Sequence, residues 1–275
     1  MPLNNSELLK RSLTGILIVV FTLAAVMYSP YTYLLLLSLI TFFGIREFIQ
    51  LNQITAGSIR VLWFPLIIAF LVGFTGWWML QAGNPLFIIA IIPLVIACII
   101  LFQFLEIQSP SDIIQKGKSF YISAIYIGLP MISGCLFLFP KYSYHFVLVP
   151  IVLIWVNDVG AYLIGSKWGT TKIMPLISPG KSLQGTIGGG VITILSGLLF
   201  LKIWPELPIG YILILAVATP VFSLGGDLWE SALKRTAGVK DSGHVFPGHG
   251  GVLDRYDSIL FVMPVAALAY FIFVL

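Results

Sequence analysis

The sequence predicts an all-α, polytopic integral membrane protein with about nine transmembrane helices and its functional loops on the cytoplasmic side. Of its 275 residues, 59% are hydrophobic and only 9% are charged, whereas a soluble domain carries about 25% charged residues. Apolar runs recur from residue 13 to the end, and basic residues concentrate in alternate loops. The chain is therefore predicted to form a single transmembrane domain over residues 1–275.

Each predicted span rests on its length, because about 20 apolar residues rising about 1.5 Å each cross a hydrocarbon core of about 30 Å. Connections containing Pro, Gly or Asn at 29–31, 82–85 and 205–208 predict tight turns between antiparallel helices. The first run follows Lys10 and Arg11 without an obvious cleavage site, so it is predicted to be a retained span. The predicted spans are 13–29, 31–50, 61–82, 85–105, 119–139, 145–165, 187–204, 209–228 and 258–275.

The distribution of Lys and Arg predicts a cytoplasmic N-terminus and an external C-terminus. With that orientation, all of the 15 basic residues except Lys141 and Lys202 lie on the cytoplasmic side. Two cytoplasmic loops, 166–186 and 227–257, exceed turn length and are rich in Gly and charge. Long loops of this kind are typical of functional sites.

Composition also argues against several classes of function. The net charge of +4 is too small for a nucleic-acid surface. Cys98 and Cys135 lie inside apolar runs, so they are predicted to pack there and not to form a disulfide or a metal site. His244 and His249 are five residues apart with no cysteine nearby, which disfavours zinc.

The stretch 226–235 continues the eighth span without a helix breaker, so it is predicted to be helical. Asp227, Ser231 and Lys234 are spaced four and three residues apart, which places them on one helix face, and Glu230 lies at its edge. An acid, a hydroxyl and a base in one stripe at a membrane boundary suit a site for metal and phosphate. The alternative is a helix end whose charged side chains reach into water.

Residues 240–251 contain four glycines and a proline, which predicts an irregular loop. Glycines let backbone N–H groups approach phosphate oxygens closely, although an ordinary connector would have a similar composition. Asp254 and Asp257 follow where the ninth span begins. Helix capping would explain one of them, but two acids with Arg255 at the edge of the hydrocarbon favour a functional site.

The segment 231–257 resembles the signature of phosphatidate cytidylyltransferases, also called CDP-diacylglycerol synthases. Tyr256 departs from it, standing where the family has an aliphatic residue, Phe or Thr. A second region, 157–185, is similar to the other cytoplasmic region of the family, and it departs at Gly180 and Gln184. The first pattern reads Ser231-x-Leu233-Lys234-Arg235-(x)4-Lys240-Asp241-x-Gly243-(x)2-Phe246-Pro247-x-His249-Gly250-Gly251-Val252-x-Asp254-Arg255-Tyr256-Asp257. The second comprises Asn157-Asp158-Val159-Gly160-Ala161-Tyr162, Gly165, Lys172 and Ile177-Ser178-Pro179-Gly180-Lys181-Ser182-Leu183-Gln184-Gly185.

The resemblance implies transfer of CMP from CTP to phosphatidate, giving CDP-diacylglycerol and pyrophosphate. It makes 145–275 the expected catalytic half and 13–139 mainly scaffold. It also implies Mg²⁺, with a second cation such as K⁺. Asp227 and Asp254 are the expected principal cation ligands, with Asp257 in support. The residues expected to hold phosphates during catalysis are Ser231, Lys234 and Arg235. Those expected to bind substrate, as lipid phosphate or nucleotide, are Asn157, Asp158, Ser178, Lys181, Ser182, Lys240, Asp241, His249 and Arg255.

Two other functions remain as alternatives. A transporter or channel could line an ion path with Asp158, Asp227 and Asp254, but the polar residues cluster on one side of the predicted membrane. A related CTP-dependent enzyme, such as a polyprenol-type lipid kinase or a synthase for another acidic lipid, would share most features. The expected location is a bacterial inner membrane. The expected partners are CTP, phosphatidate and membrane lipid, without nucleic acid, and a homodimer is left open.

Overall fold

The computed structural model describes residues 5–52, 59–82, 96 and 119–275. Seven of the described helices are long and apolar enough to cross a membrane, and the first helix contains a shorter apolar stretch, Ser12–Tyr28. In chain order the elements are α1 Asn5–Tyr28, α2 Pro30–Leu51, α3 Ile59–Ala82, α4 Ser119–Leu138, α5 Tyr144–Trp168, β1 Lys172–Met174, β2 Ser178–Ser182, α6 Leu183–Ile203, α7 Ile209–Thr236 and α8 Leu253–Phe273.

The predicted all-α membrane fold is confirmed. Each of the helices α1 to α8 corresponds to one predicted span, and the turns at 29–31 and 205–208 lie where predicted. The predicted span 85–105 and the turn at 82–85 fall outside the described residues, so the count of nine stays a prediction.

The chain divides into two compact units that are not continuous in sequence. The first unit comprises residues 1–142 and 237–256, and the second comprises 143–236 and 257–275. The first thus contains α1 to α4, residues 237–252, which we call the glycine-rich loop, and the start of α8. The second contains α5, the two strands, α6, α7 and the remainder of α8.

Helix starts and buried polar contacts organise the first unit. The Ser29 hydroxyl accepts a hydrogen bond from an N–H group in the first turn of α2, and it thereby caps the helix. Tyr33 is buried and donates its hydroxyl hydrogen to the Gly134 carbonyl at 3.0 Å, which joins α2 to α4. Cys135 is fully buried, as its apolar surroundings predicted, whereas Cys98 lies outside the described residues.

Close packing of α5 against α6 explains the glycine content of α6. A Cβ atom at Gly185 would lie 2.7 Å from the Ala161 carbonyl oxygen, and one at Gly189 would lie 2.8 Å from the Asn157 carbonyl oxygen. Small residues allow such close contact between membrane helices. The helix begins before the predicted residue 187, because the Ser182 hydroxyl accepts the Gly185 N–H at 3.2 Å and caps its first turn.

The predicted loop 166–186 contains a short antiparallel hairpin, formed by the only strands in the described part of the chain. Lys172 of β1 lies opposite Ser182 of β2. The Gln184 side-chain oxygen accepts the backbone N–H groups of Thr170 and Thr171, both at 3.2 Å. These bonds connect the residues that lead into the hairpin with the first turn of α6.

The predicted helical stretch 226–235 is confirmed, since α7 continues to Thr236. Residues 237–252 then form an irregular loop, which includes the segment 240–251 that was predicted to be irregular from its glycines and proline. Gly238, Gly248 and Gly250 have φ values of 72°, 76° and 80°, a left-handed conformation that glycine adopts without steric cost.

Candidate active site

Three carboxylates of the second unit converge where α7 and α8 meet. Asp227 and Glu230 lie in α7 and Asp257 lies in α8, and one ligand oxygen of each lies within 4.8 Å of the others. Gly226 permits this approach, because a Cβ atom there would lie only 2.5 Å from the Asp257 carbonyl oxygen. We call Asp227, Glu230 and Asp257 the acidic cluster.

Lys181, at the end of β2, brings a positive charge to the acidic cluster through an ion pair with Asp227. Burial lowers the pKa of Lys181 below its ordinary value, while the neighbouring charges of Asp158 and Asp257 act in the opposite direction. The hairpin therefore delivers a partly desolvated ammonium group to carboxylates on two helices. In the sequence, only the resemblance of the region 157–185 to the family indicated Lys181 as a site residue.

The predicted stripe on α7 is observed in part. The Ser231 hydroxyl donates to the Asp227 carboxylate at 3.3 Å, so these two side chains share a face as their spacing predicted. Lys234 Nζ lies 2.5 Å from Glu230 Oε2. Glu230, expected at the edge of this face, is only 1% exposed and belongs to the acidic cluster.

A polar network around Asp158 links four elements of the second unit. Asp158 of α5 accepts from the Ser223 hydroxyl of α7 at 3.4 Å, and Ser223 lies 3.0 Å from the Ser258 hydroxyl of α8. Asn157 donates to Asp158 at 3.5 Å and accepts from Thr193 of α6 at 3.5 Å. The predicted pair of Asn157 and Asp158 is thus held by hydrogen bonds within the unit that carries the acidic cluster.

Asp254 lies in the first unit, where the glycine-rich loop surrounds its carboxylate. One oxygen, Oδ2, accepts the Gly251 N–H at 2.7 Å, the Ser242 N–H at 2.8 Å and the Ser242 hydroxyl at 2.9 Å. Hydrogen bonds of this kind to a carboxylate are charge-assisted and stronger than neutral ones. The loop backbone therefore orients Asp254, and its role as a cation ligand stays a prediction.

The other predicted residues divide between the same two units. In the second unit, Ser182 caps α6, Ser178 lies in β2, and Arg235 donates from Nε to the Ile177 carbonyl at 3.4 Å. In the first unit, the His249 N–H donates to a carbonyl within the loop, that of residue 246, at 2.9 Å. Five of the predicted residues are exposed: Asp158, Arg235, Lys240, Asp241 and Arg255.

Glu47 of α2 is a further candidate that the motif patterns missed. It is 3% exposed, and its carboxylate accepts hydrogen bonds from Ser242, Val252 and Leu253. The only signal in the sequence is an ionisable residue inside an apolar span, next to Arg46. No local motif connects Glu47 to the loop, because Ser242 is 195 residues further along the chain.

The acidic cluster has the chemistry of a divalent cation site. Mg²⁺ prefers carboxylate oxygens as its protein ligands and keeps other positions for water and phosphate oxygens. Three carboxylates face the ammonium groups of Lys181 and Lys234, so their excess negative charge would favour a bound cation. The same two lysines carry positive charge of the kind that can bind phosphate oxygens.

Comparison with known proteins confirms the predicted resemblance. A family model described as "Cytidylyltransferase family" matches residues 9–273. A phosphatidate cytidylyltransferase of Bacillus subtilis (strain 168) is 44% identical over 151 residues, which span 52% of this chain and about half (54%) of that protein. The phosphatidate cytidylyltransferase of Staphylococcus haemolyticus (strain JCSC1435) is 30% identical over 92% of this chain and 95% of its own length. That of Staphylococcus aureus (strain COL) is 31% identical over the same shares, 92% and 95%. Since the family model covers nearly the whole sequence, this chain belongs to the cytidylyltransferase family.

Proposed function

We propose that this chain transfers CMP from CTP to phosphatidate in a membrane, forming CDP-diacylglycerol and pyrophosphate. The observation that carries the proposal is the acidic cluster with its paired lysines, Lys181 and Lys234, in a member of this family. Relatives that match 92% of the chain bear the name of this activity. The membrane-length helices suit a lipid substrate that enters from the bilayer.

The reaction requires charge cancellation more than protein nucleophilicity. An oxygen of the phosphatidate phosphate forms a bond to the α-phosphorus of CTP, and the bond from that phosphorus to the bridging oxygen breaks as pyrophosphate leaves. Both reactants are anionic, so the protein must bring them together in line and stabilise the negative charge that develops. Carboxylates and lysines gathered from several elements can hold such a geometry.

We assign Asp227, Glu230 and Asp257 as the residues that would hold Mg²⁺, because their ligand atoms converge and their charge exceeds that of the paired lysines. When bound, Mg²⁺ would offset negative charge on the phosphate oxygens and on the leaving group. Asp254 as a ligand and K⁺ as a second cation rest on the sequence pattern alone.

The basic residues of the second unit would bind the phosphates. Ion pairs with Asp227 and Glu230 position the ammonium groups of Lys181 and Lys234. Arg235 is held against the hairpin by its bond to the Ile177 carbonyl, and a guanidinium can bind two phosphate oxygens at once.

The orientation in the membrane is also part of the proposal. The hairpin and the glycine-rich loop face the cytoplasm of a bacterial cell, as the basic residues predict.

The test is an assay of purified protein with α-labelled CTP, Mg²⁺ and phosphatidate. Label in the lipid fraction is expected; label that remains in CDP would indicate a lipid kinase, and the absence of both products would refute the proposal. Asp227→Ala and Asp254→Ala are each expected to lower turnover by at least about 100-fold, the order reported for loss of one group that stabilises transition-state charge, without loss of membrane insertion. Near-normal product formation by Asp227→Ala would refute the cation assignment.

A further inference from the structure

Glu47 is a buried carboxylate in the apolar helix α2. It is 3% exposed, and burying an ionised carboxylate is costly unless hydrogen bonds replace its water. Its hydrogen bonds come from the glycine-rich loop and the start of α8, which are distant in sequence. The residue therefore connects an early helix to a segment of the family signature.

Two of the bonds involve the beginning of α8. Glu47 Oε1 accepts the Val252 N–H at 2.8 Å, and Oε2 accepts the Leu253 N–H at 2.9 Å. The first N–H groups of a helix have no acceptor within that helix, and a negative charge beside them is favourable. Glu47 thus caps α8 from another helix and fixes the C-terminal end of the loop.

A third bond fixes the other end of the loop. The Ser242 hydroxyl lies 3.0 Å from Glu47 Oε2 and 2.9 Å from Asp254 Oδ2. Asp254 also accepts the backbone N–H groups of Ser242 and Gly251. The Ser242 hydroxyl has one hydrogen to donate and lies between the two carboxylates, so Glu47 and Asp254 share it as a common donor.

Glycines make room for the Glu47 carboxylate. A Cβ atom at Gly243 would lie 2.6 Å from Glu47 Oε1, and one at Gly251 would overlap both Glu47 oxygens. Any other residue at these positions would force the loop and the carboxylate apart. Two glycines of the signature are thus explained by a residue outside it.

We propose that Glu47 is a positioning residue for CTP, which fixes the loop 242–252 and, through Ser242, orients Asp254. The inference rests on the proposed function and adds to it that this loop binds the triphosphate, because its glycines let backbone N–H groups approach phosphate oxygens closely. A residue that only stabilises the fold would make the same bonds, so the two roles must be separated by a measurement that folding alone would not change.

The experiment compares Glu47→Gln with Glu206→Gln. Glutamine keeps the size of the side chain but presents an NH₂ group to backbone donors, whereas Glu206 lies outside the loop and its side chain is 56% exposed. For Glu47→Gln we expect KM for CTP to rise about tenfold, the order that follows from leaving buried donors unsatisfied. We expect KM for phosphatidate to change by less than about twofold, and Glu206→Gln to match the wild type.

Hydrogen–deuterium exchange supplies a readout that needs no substrate. The peptide covering 242–253 should exchange faster in Glu47→Gln, while the peptide covering the hairpin 172–182 should not. Unchanged exchange in the loop, an unchanged KM for CTP, or a loss of kcat with both KM values unchanged would overturn the proposal. An inactive wild type would overturn the proposed function instead, and the exchange data would still decide whether Glu47 holds the loop.

Ser242→Ala serves as the second variant, in case Glu47→Gln does not fold. It removes the link between the two carboxylates but keeps the bonds from Val252 and Leu253 to Glu47. A smaller rise in KM for CTP, with KM for phosphatidate unchanged, is the expected result. A wild-type KM for CTP in Ser242→Ala would exclude the orientation of Asp254 through Ser242.

Discussion

Glu230 lies on the buried side of α7 with its carboxylate beside Asp227, Lys234 and Asp257. Glu230→Gln keeps the shape of the side chain and its contact with Lys234 but removes the negative charge. If Glu230 is a cation ligand, the Mg²⁺ concentration that gives half-maximal activity should rise about tenfold, the order expected for losing one charged contact.

The measurement is a Mg²⁺ titration of CDP-diacylglycerol formation at saturating CTP and phosphatidate. Glu206→Gln is the matched control, because it removes the same charge from an exposed side chain of the same unit. A Glu230→Gln enzyme with the wild-type Mg²⁺ dependence would remove Glu230 from the cation site, even if its turnover were reduced.

Helical spacing predicted contacts within one element but not between elements. The four-residue spacing of Asp227 and Ser231 predicted that they share a helix face, and the hydrogen bond between them agrees with it. Glu230 faces Asp257 only because α7 and α8 pack together, and the period of a single helix carries no information about that contact. The contacts of Glu47 are harder still to predict from the sequence, because the donors to its carboxylate lie about 200 residues away and only the folded chain brings them together.

At the scale of elements, the contact of α7 with α8 depends on one glycine. A Cβ atom at Gly226 would lie 2.5 Å from the Asp257 carbonyl oxygen and 3.1 Å from Ser258 Cα, both backbone atoms that cannot move alone. Gly226→Ala should therefore force the helices apart, separate Asp227 from Asp257 and lower both activity and stability. Overpacking of this kind typically costs about 1–3 kcal/mol.

Gly225→Ala is the matched control, because a Cβ atom there would meet only the Phe261 side chain at an ordinary 3.7 Å. Thermal unfolding in detergent and turnover should both be close to wild type in Gly225→Ala and clearly reduced in Gly226→Ala. Equal values for the two variants would show that the helices can separate without loss of the acidic cluster.

Helices could be predicted here and strands could not. An apolar run long enough to cross a bilayer allows few structures other than a helix, so α2 to α8 follow from length alone. The strands have three and five residues, and β2, with the sequence Ser-Pro-Gly-Lys-Ser, lacks the apolar alternation of a half-buried strand. Side-chain bonds such as those from Gln184 hold the hairpin, and hydropathy does not register them.

At the scale of the whole molecule, chain order was a poor guide to the grouping of the segments. Residues 237–256 belong to one compact unit with α1 to α4, through contacts such as those of Glu47 with Val252 and Leu253. The same segment carries most of the family signature. The N-terminal helices, in which the sequence pattern singled out no motif, thus contact the segment that carries most of the family signature.

Orientation in the membrane is a property of the whole chain, and two loops of the second unit test it. Leu176 lies in the hairpin between α5 and α6 and is 93% exposed, while Glu206 follows α6 and its side chain is 56% exposed. Because the one span α6 separates them, the two positions must lie on opposite sides if α6 crosses the membrane. The basic residues place position 176 in the cytoplasm and position 206 outside.

Single cysteines at these positions would report their sides in a chain whose Cys98 and Cys135 are replaced by Ala. In intact spheroplasts, a membrane-impermeant maleimide should label Glu206→Cys and leave Leu176→Cys unlabelled, and permeabilisation should expose both. The reverse labelling pattern would show that the protein has the opposite orientation in the membrane, in which the acidic cluster would not be accessible to cytoplasmic CTP. Labelling of both positions from outside would mean that α6 does not span the bilayer, so the hairpin lysine and the carboxylate it pairs with could not face a cytoplasmic nucleotide.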